Sequence, residues 1–227
     1  MFAATIKTMK LAVLAGTLAK VEWQLKPGGQ SEIIWVNNID ELAATPADAH
    51  FDLEFEYHPE RIKRLAAIAG PVFINSVIQP LIDSELLSAS AEDAEFIRIN
   101  AWPTFLQREV IEVAIADPFA EATVRDVFAA LGWKHWIVPD VAGMISPRVI
   151  AMIINEAYYT LQADVSTKEE IDTAMKLGTN YPYGPFEWSQ KIGLMNVYTL
   201  LSALSKTDKR YQPSEKLQQE AVGFEYN

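Results

Sequence analysis

Residues 166–187 read STKEEIDTAMKLGTNYPYGPFE. Ser166 followed three residues later by Glu169 is a capping-box pattern, and it opens a helix that Gly178 closes. Pro185 starts another helix, where its missing N–H is no loss, and Glu187 lies close to that helix's positive N-terminal end. Working upstream, Ser146-Pro147 supplies an N-cap and a proline at the first helical position. Ile150, Ile153, Ile154, Ala157, Tyr158 and Leu161 then recur at helical spacing, with Val149 and Met152 widening the apolar face. So wide a stripe points to burial on several sides or to a subunit interface. Downstream, Leu194, Val197, Leu200, Leu201 and Leu204 continue the helical pattern. The chain from about residue 141 therefore reads as helices only.

Before that point the character is different. Short apolar or alternating runs, each of strand length, occupy Lys10–Ala15, Ile33–Val36, Phe51–Tyr57, Val72–Asn75, Phe96–Asn100, Val110–Ile115 and Lys134–Val138. Pro59–Ala69 and Thr123–Leu131 between them have helical spacing and end at Gly70 and Gly132. Alternating strands and helices of this size predict an α/β domain with a mostly parallel sheet over residues 1–140, followed by an all-α domain over 141–227. Phe51 to Tyr57 alternates strictly, which predicts a strand with Asp52, Glu54 and Glu56 on one solvated face.

Half of the 227 residues are hydrophobic, enough for a buried core. The absence of cysteine excludes disulfides, thiolate metal sites and a cysteine nucleophile, and three histidines offer little for a metal site. Thirty acids against 19 Lys and Arg give a net charge of -11, which argues against nucleic acid as a partner. Leu11 to Ala19, preceded by Lys7 and Lys10, is too short to cross a bilayer; as a signal-peptide core it would have a poor cleavage site in Thr17-Leu18-Ala19, and the favoured reading is a short buried strand ending at Gly16. The expectation is a cytoplasmic protein without a membrane partner.

Within this frame a longer signature stands out. Ile171-Asp172-Thr173-Ala174-Met175-Lys176-Leu177-Gly178 and Tyr181-Pro182-Tyr183-Gly184-Pro185-Phe186-Glu187 resemble the C-terminal domain of 3-hydroxyacyl-CoA dehydrogenases, whose hallmark is D-x-A-M-x-x-G followed by P-x-G-P-F-E. Leu131-Gly132-Trp133-Lys134, Asp140, Gly143-Met144-Ile145 and Arg148 resemble that family's lead-in. The resemblance is strong from about residue 120 to residue 204. It implies a Rossmann-like dinucleotide domain, NAD as cofactor, an acyl-CoA-type ligand, and a helical domain that makes a homodimer.

Carried over residue by residue, the resemblance thins at the site. The family's glycine-rich turn after the first strand becomes Val13-Leu14-Ala15-Gly16-Thr17-Leu18-Ala19, in which Gly16 alone has a clear counterpart for cofactor binding. Pro27-Gly28-Gly29 cuts the following helix short, and Asn37 or Asn38 is the nearest stand-in for the ribose-binding acid. Val110-Ile111-Glu112-Val113 retains the family's L-V-E-V, so Glu112 stands where the acid paired with the catalytic His would be. Ungapped counting puts Asn100 at that His; a gap would put Ile99 there instead. Neither takes up a proton at neutral pH. The family's substrate-contacting S-N-T-S becomes Ile74-Asn75-Ser76-Val77, keeping Asn75 and Ser76, and its N-R pair becomes Pro147-Arg148. The predicted protein is a homologue with an eroded NAD cradle and no catalytic His, either non-catalytic or altered. The alternative is a working NAD-dependent dehydrogenase with a rearranged site. Charge sharpens the choice: residues 1–139 hold 19 acids against 11 Lys and Arg, and residues 140–227 hold 11 against 8. The excess acidity falls on the domain that would receive a pyrophosphate.

Overall fold

The computed structural model describes residues 8–82 and 94–223. Lys7 lies outside them. The chain divides into two compact units, Met1–Val141 and Ala142–Asn227.

The first unit is built on a seven-stranded sheet: β1 (Met9–Leu14), β2 (Ser31–Val36), β3 (Ala49–Asp52), β4 (Gly70–Asn75), β5 (Ala94–Ile99), β6 (Val110–Ile115) and β7 (Lys134–Val138). The spatial order is β2-β1-β3-β4-β5-β6-β7, parallel throughout except where β6 runs against β5. Side chains on a strand alternate between faces, and the apolar residues divide accordingly. Leu11, Val13, Phe51, Phe73, Ile97 and Val113 face α1 (Thr17–Leu25) and a helix at Ala120–Leu131. Ala12, Leu14, Val72 and Ile74 pack on the other side with Leu42 and Leu65 of two short helices, α2 (Ile39–Ala44) and α3 (Ile62–Leu65). The Ala120–Leu131 helix, α4, ends at Gly132 with φ +69, a backbone conformation that glycine adopts without strain. Phe51 stacks on Phe73 with ring centroids 4.5 Å apart, and Trp23 meets Phe51 and Trp133 edge-on.

A complete dinucleotide-binding sheet has the order 3-2-1-4-5-6. Among the described residues this sheet stops at β2, so the outer strand on that side is missing. The chain still leaves β1 in one direction and returns to its other side at β3. That reversal opens a crevice outside the carboxyl ends of β1 and β3, the place where open α/β sheets bind ligands.

Two expectations for this unit need correction. Phe51–Tyr57 is not one strand: β3 stops at Asp52, and Phe55–Tyr57 form a turn of 3-10 helix. Its sequence lacks the β-branched residues that favour a pleated strand. Pro59–Ala69 is not one helix either; a 3-10 turn at Pro59–Arg61 leads into the single turn of α3.

The second unit contains α5 (Ser146–Gln162), α6 (Lys168–Thr179), α7 (Pro185–Ile192), α8 (Leu194–Ser205) and α9 (Glu215–Gly223). Three helix ends differ from expectation. Ile145 occupies the N-cap of α5, so Ser146 is already helical. The capping box of α6 is Thr167 with Glu170, one residue later than Ser166 with Glu169, and Ser166 donates to Glu170 at 2.7 Å. Helix α6 runs through Gly178 and ends at Asn180 with φ +55, because an Asn side chain tolerates the left-handed region. Among the described residues, no helix is long and apolar enough to cross a membrane.

The start of α7 depends on Asp172. Its carboxylate accepts the N–H groups of Phe186 at 2.8 Å and Glu187 at 3.0 Å, while Glu187 accepts the N–H of Gly184 at 3.1 Å. A β-carbon on Gly184 would lie 2.3 Å from the Asp172 carboxylate carbon. Gly184→Ala therefore displaces the acid that satisfies two backbone donors, the Phe186 N–H buried and the Glu187 N–H half-buried. The expected loss is about 2 kcal/mol of stability, read as a lower midpoint in urea unfolding.

Candidate dinucleotide crevice

Strand β1 delivers Gly16 to the N-cap of α1, with φ -67 and ψ 168 and no capping side chain. On the opposite wall the chain leaving β3 bends sharply. Leu53 donates its N–H to the Leu14 carbonyl at 2.9 Å, and Glu54 donates its own to Asp52 Oδ1 at 3.0 Å. Asp52 is wholly buried and accepts from Arg61 at 3.1 Å. Burial pushes its pKa up, against the pull of the guanidinium. The bend turns Glu54 into the crevice: its Oε1 lies 2.6 Å from where a Gly16 β-carbon would stand, and its Oε2 lies 3.6 Å from Arg61.

A pyrophosphate needs that space. Glycines in such a turn let the phosphate approach the backbone N–H groups at the helix N-terminus. Here the Glu54 carboxylate lies against Gly16, and Glu22 of α1 lines the same crevice. The cavity between them, lined by Gly16, Glu22, Glu54, Tyr57, Ala101 and Pro103, measures about 210 Å³. The charge of this lining opposes the pyrophosphate of the nicotinamide dinucleotide that the fold family implies.

The other expected site residues are brought close together but are engaged structurally. Asn75, wholly buried at the end of β4, donates to the Leu53 carbonyl at 3.2 Å and accepts from Ala101 N–H at 3.0 Å. It clasps the ends of three strands. Asn100 follows β5; its N–H donates to the Glu112 carbonyl at 3.0 Å and its side chain accepts from Trp102 N–H at 3.4 Å. The geometry therefore sets Asn100 beside buried Glu112, whose charge acts on Arg108, itself laid over the Phe105 ring at 4.1 Å. Ser76 donates to the Gln79 carbonyl at 2.8 Å, which fixes its own turn. Asn38 caps α2 by accepting from Glu41 N–H at 2.9 Å, and Asn37 also donates to Glu41. Among the described residues there is no cluster of acids and histidines that could hold a metal ion.

Asp52, Glu54 and Glu56 do not share a solvated face. Glu56, carried inward by the 3-10 turn, accepts from Val77 N–H and Ile78 N–H at 2.7 Å each and from Trp102 Nε1 at 3.0 Å. Arg98, wholly buried on β5, donates to the carbonyls of Ser76 at 2.6 Å and Val77 at 2.9 Å and to Asp140 at 2.5 Å. Asp140 in turn accepts from Leu81 and Ile82 N–H. Two carboxylates and one guanidinium thus hold residues 76–82 from three directions. Strict alternation concealed this arrangement; Pro59 and the lack of β-branched residues were the available hints.

Burial raises the Glu56 pKa to about 7, against the pull of its donors and of Arg98. The folded chain therefore keeps this proton over an interval where the unfolded chain, near 4.5, has released it. The contribution to stability is complete below about 4.5 and declines as pH rises through about 7. Urea midpoints at pH 5 and pH 7.5 should fall more steeply for the wild type than for Glu56→Gln. Equal slopes would count against the shift.

A mostly parallel sheet with a reversal crevice is followed in the chain by a helical unit, and both parts have counterparts among known proteins. Residues 143–222 match the 3-hydroxyacyl-CoA dehydrogenase C-terminal domain. The chain is 29% identical over 221 residues to 3-hydroxybutyryl-CoA dehydrogenase of Bradyrhizobium diazoefficiens, covering 89% of this chain and 74% of that protein. It is 44% identical over 87 residues to 3-hydroxyadipyl-CoA dehydrogenase of Escherichia coli, covering 37% of this chain but only 18% of that enzyme. The fold is similar to the crystal structure of (S)-3-hydroxybutyryl-CoA dehydrogenase PaaH1 from Ralstonia eutropha, with a TM-score of 0.70 at 19% identity over 96% of this chain and 95% of that one. The chain belongs to a 3-hydroxyacyl-CoA dehydrogenase-like family.

Proposed function

We propose that this chain is a 3-hydroxyacyl-CoA dehydrogenase homologue that does not transfer hydride, and that it serves as a dimeric binding or partner subunit. One observation carries the reading: the Glu54 carboxylate stands against Gly16, beside the helix N-terminus at which dinucleotide folds receive a pyrophosphate. The position of the family's base supports it, because Asn100 has no proton-accepting nitrogen and its amide serves the local backbone. An acyl-CoA-type compound remains the ligand class that family membership suggests, and cytoplasm the compartment that composition suggests. Dimerisation would use the helical unit, where Ile145, Val149, Val165 and Leu177 leave apolar side chains in solvent.

Thermal unfolding with NAD and NADH at millimolar concentration tests the cofactor part. The expected result is an unchanged melting temperature, since a ligand that binds only the folded state must raise it. A rise of several degrees with NADH would sink the reading. Light scattering behind a sizing column tests the subunit part; a monomer at micromolar concentration would remove it.

A further inference from the structure

The first unit carries an excess of acid, yet one of its clefts is lined mostly by bases. We infer that the cleft where α1 ends against the start of β7 binds a small organic carboxylate. Arg108 and Lys26 would hold the carboxylate, with its apolar part against Leu25, Pro27 and Trp133. The inference goes beyond the question of hydride transfer, because this cleft shares no lining residue with the cavity at Gly16.

The backbone brings the parts together. Pro27 ends α1, and Lys26 before it is already extended, with φ -74 and ψ 146. A β-carbon on Gly29 would lie 2.0 Å from the Ala130 carbonyl oxygen. Glycine there lets the chain leaving α1 pass against the end of α4. The cleft so formed measures about 400 Å³, and its lining includes Leu25, Lys26, Pro27, Arg108, Trp133 and Lys134. Sites for small molecules span about 300–1,000 Å³.

Two of these bases have donors to spare. Lys26 Nζ donates to the Arg108 carbonyl at 2.6 Å and lies 5.0 Å from the centre of the Trp133 ring. An ammonium has three donors, so this bond leaves capacity for a ligand. The Arg108 guanidinium is stacked 4.1 Å over Phe105. Among the described residues it hydrogen-bonds to no acceptor, and Glu112 acts on it through charge. None of its nitrogens is sealed from solvent. Stacking covers a face of the planar group, while its N–H donors lie in the plane and stay open to a bidentate acceptor. Burial lowers the pKa of both Lys26 and Arg108, a cost to the charged forms that a bound anion would offset.

Charge sets the class of anion. Lys26, Arg108 and Lys134 face one acid, Glu109, which pairs with Lys134 at 2.5 Å. Leu25 and Gly132 bring the ends of α1 and α4 to the cleft, and a helix C-terminus carries about half a negative charge. The balance is about one positive charge. That suits a carboxylate and falls short of a phosphate monoester, which carries close to two negative charges. The planar Arg108 fork matches a carboxylate through two parallel hydrogen bonds. Leu25, 72% exposed, offers apolar surface beside it for the rest of the ligand.

The test is a calorimetric titration of the full chain at matched ionic strength. The probes are phenylacetate, phenylacetamide as its uncharged analogue, and phenyl phosphate as the dianion. Phenylacetate should bind at millimolar concentration or below, phenylacetamide about tenfold or more weakly, the scale of one charge-assisted hydrogen bond, and phenyl phosphate no more tightly than phenylacetate. Arg108→Met should weaken phenylacetate by about tenfold or more with little change in urea midpoint, since its guanidinium satisfies no acceptor of the fold. If that variant fails to fold, Lys26→Met decides, with the same expected loss. Phenylacetamide binding as tight as that of phenylacetate, no binding of phenylacetate, or undiminished binding by the deciding variant overturns the inference. Phenyl phosphate bound about tenfold more tightly than phenylacetate overturns the assignment to a carboxylate.

Discussion

Mixed with NADH and acetoacetyl-CoA, the protein should leave the nicotinamide absorbance unchanged, and Asn100→His alone should not start the reaction. The reason is that several independent requirements fail together. A general base of suitable pKa contributes about 10²–10⁴ in rate, and no side chain at residue 99 or 100 can supply it. A donor aimed at the reacting oxygen is worth about 10²–10³, and the family's Asn at that point is Pro147 here. The substrate-contacting Ser is Val77, which is wholly buried. Restoring the histidine addresses one deficit and leaves Glu54 against Gly16. Asn100→His combined with Glu54→Val should gain ADP-ribose binding yet turn over far more slowly than a family enzyme. Steady loss of absorbance with the wild-type chain at a rate proportional to protein would end the proposal; activity in Asn100→His alone would show that Glu54 does not block the cofactor.

The second large effect concerns Arg98. Arg98→Met should destabilise the first unit by about 3–5 kcal/mol, measured as a shift in urea midpoint followed by far-UV circular dichroism. The substitution preserves much of the side-chain volume but removes donors to Ser76, Val77 and Asp140 at once. It leaves Asp140 without its buried counter-charge and removes the positive charge that acts on Glu56. Against a total stability of about 5–15 kcal/mol for a typical protein, such a loss is severe. Arg98→Lys should recover little, because an ammonium cannot address two carbonyls and a carboxylate with the geometry of a planar fork. A midpoint within 0.3 M of wild type would mean that the network is worth no more than an exposed ion pair.

Periodicity made most of the sheet legible. Strands β1, β2, β4, β6 and β7 were apparent because buried apolar runs end at glycine, proline or polar residues, and the helix ending at Gly132 was apparent because its stop is local. The helical signature likewise lies within a few turns of chain. Illegibility began where local pattern and tertiary contact disagree. The 51–57 segment alternates like a strand, yet Asp52 is drawn to Arg61 and Glu56 to the N–H groups of Val77 and Ile78, partners that periodicity does not record. Thr167 displaced Ser166 as a cap by one residue because both carry a suitable hydroxyl. At the crevice, sequence showed which groups had been replaced, but not that Glu54 would meet Gly16. That contact joins loops 38 positions apart and follows from the bend after β3.

The order of strands carries a consequence for how the first unit assembles. From β4 to β7 every strand lies beside the one that precedes it in the chain, so these pairings close comparatively short connections, and the entropy lost in each closure is modest. Strand β1 is the exception, since it must settle between β2 and β3. Placing it requires contacts that span more of the chain, the kind that slows folding. The crevice at Gly16 therefore forms at the seam that is kinetically hardest to make, and a variant that slows closure of that seam would expose the carboxylates of Glu22 and Glu54 before the rest of the sheet is affected.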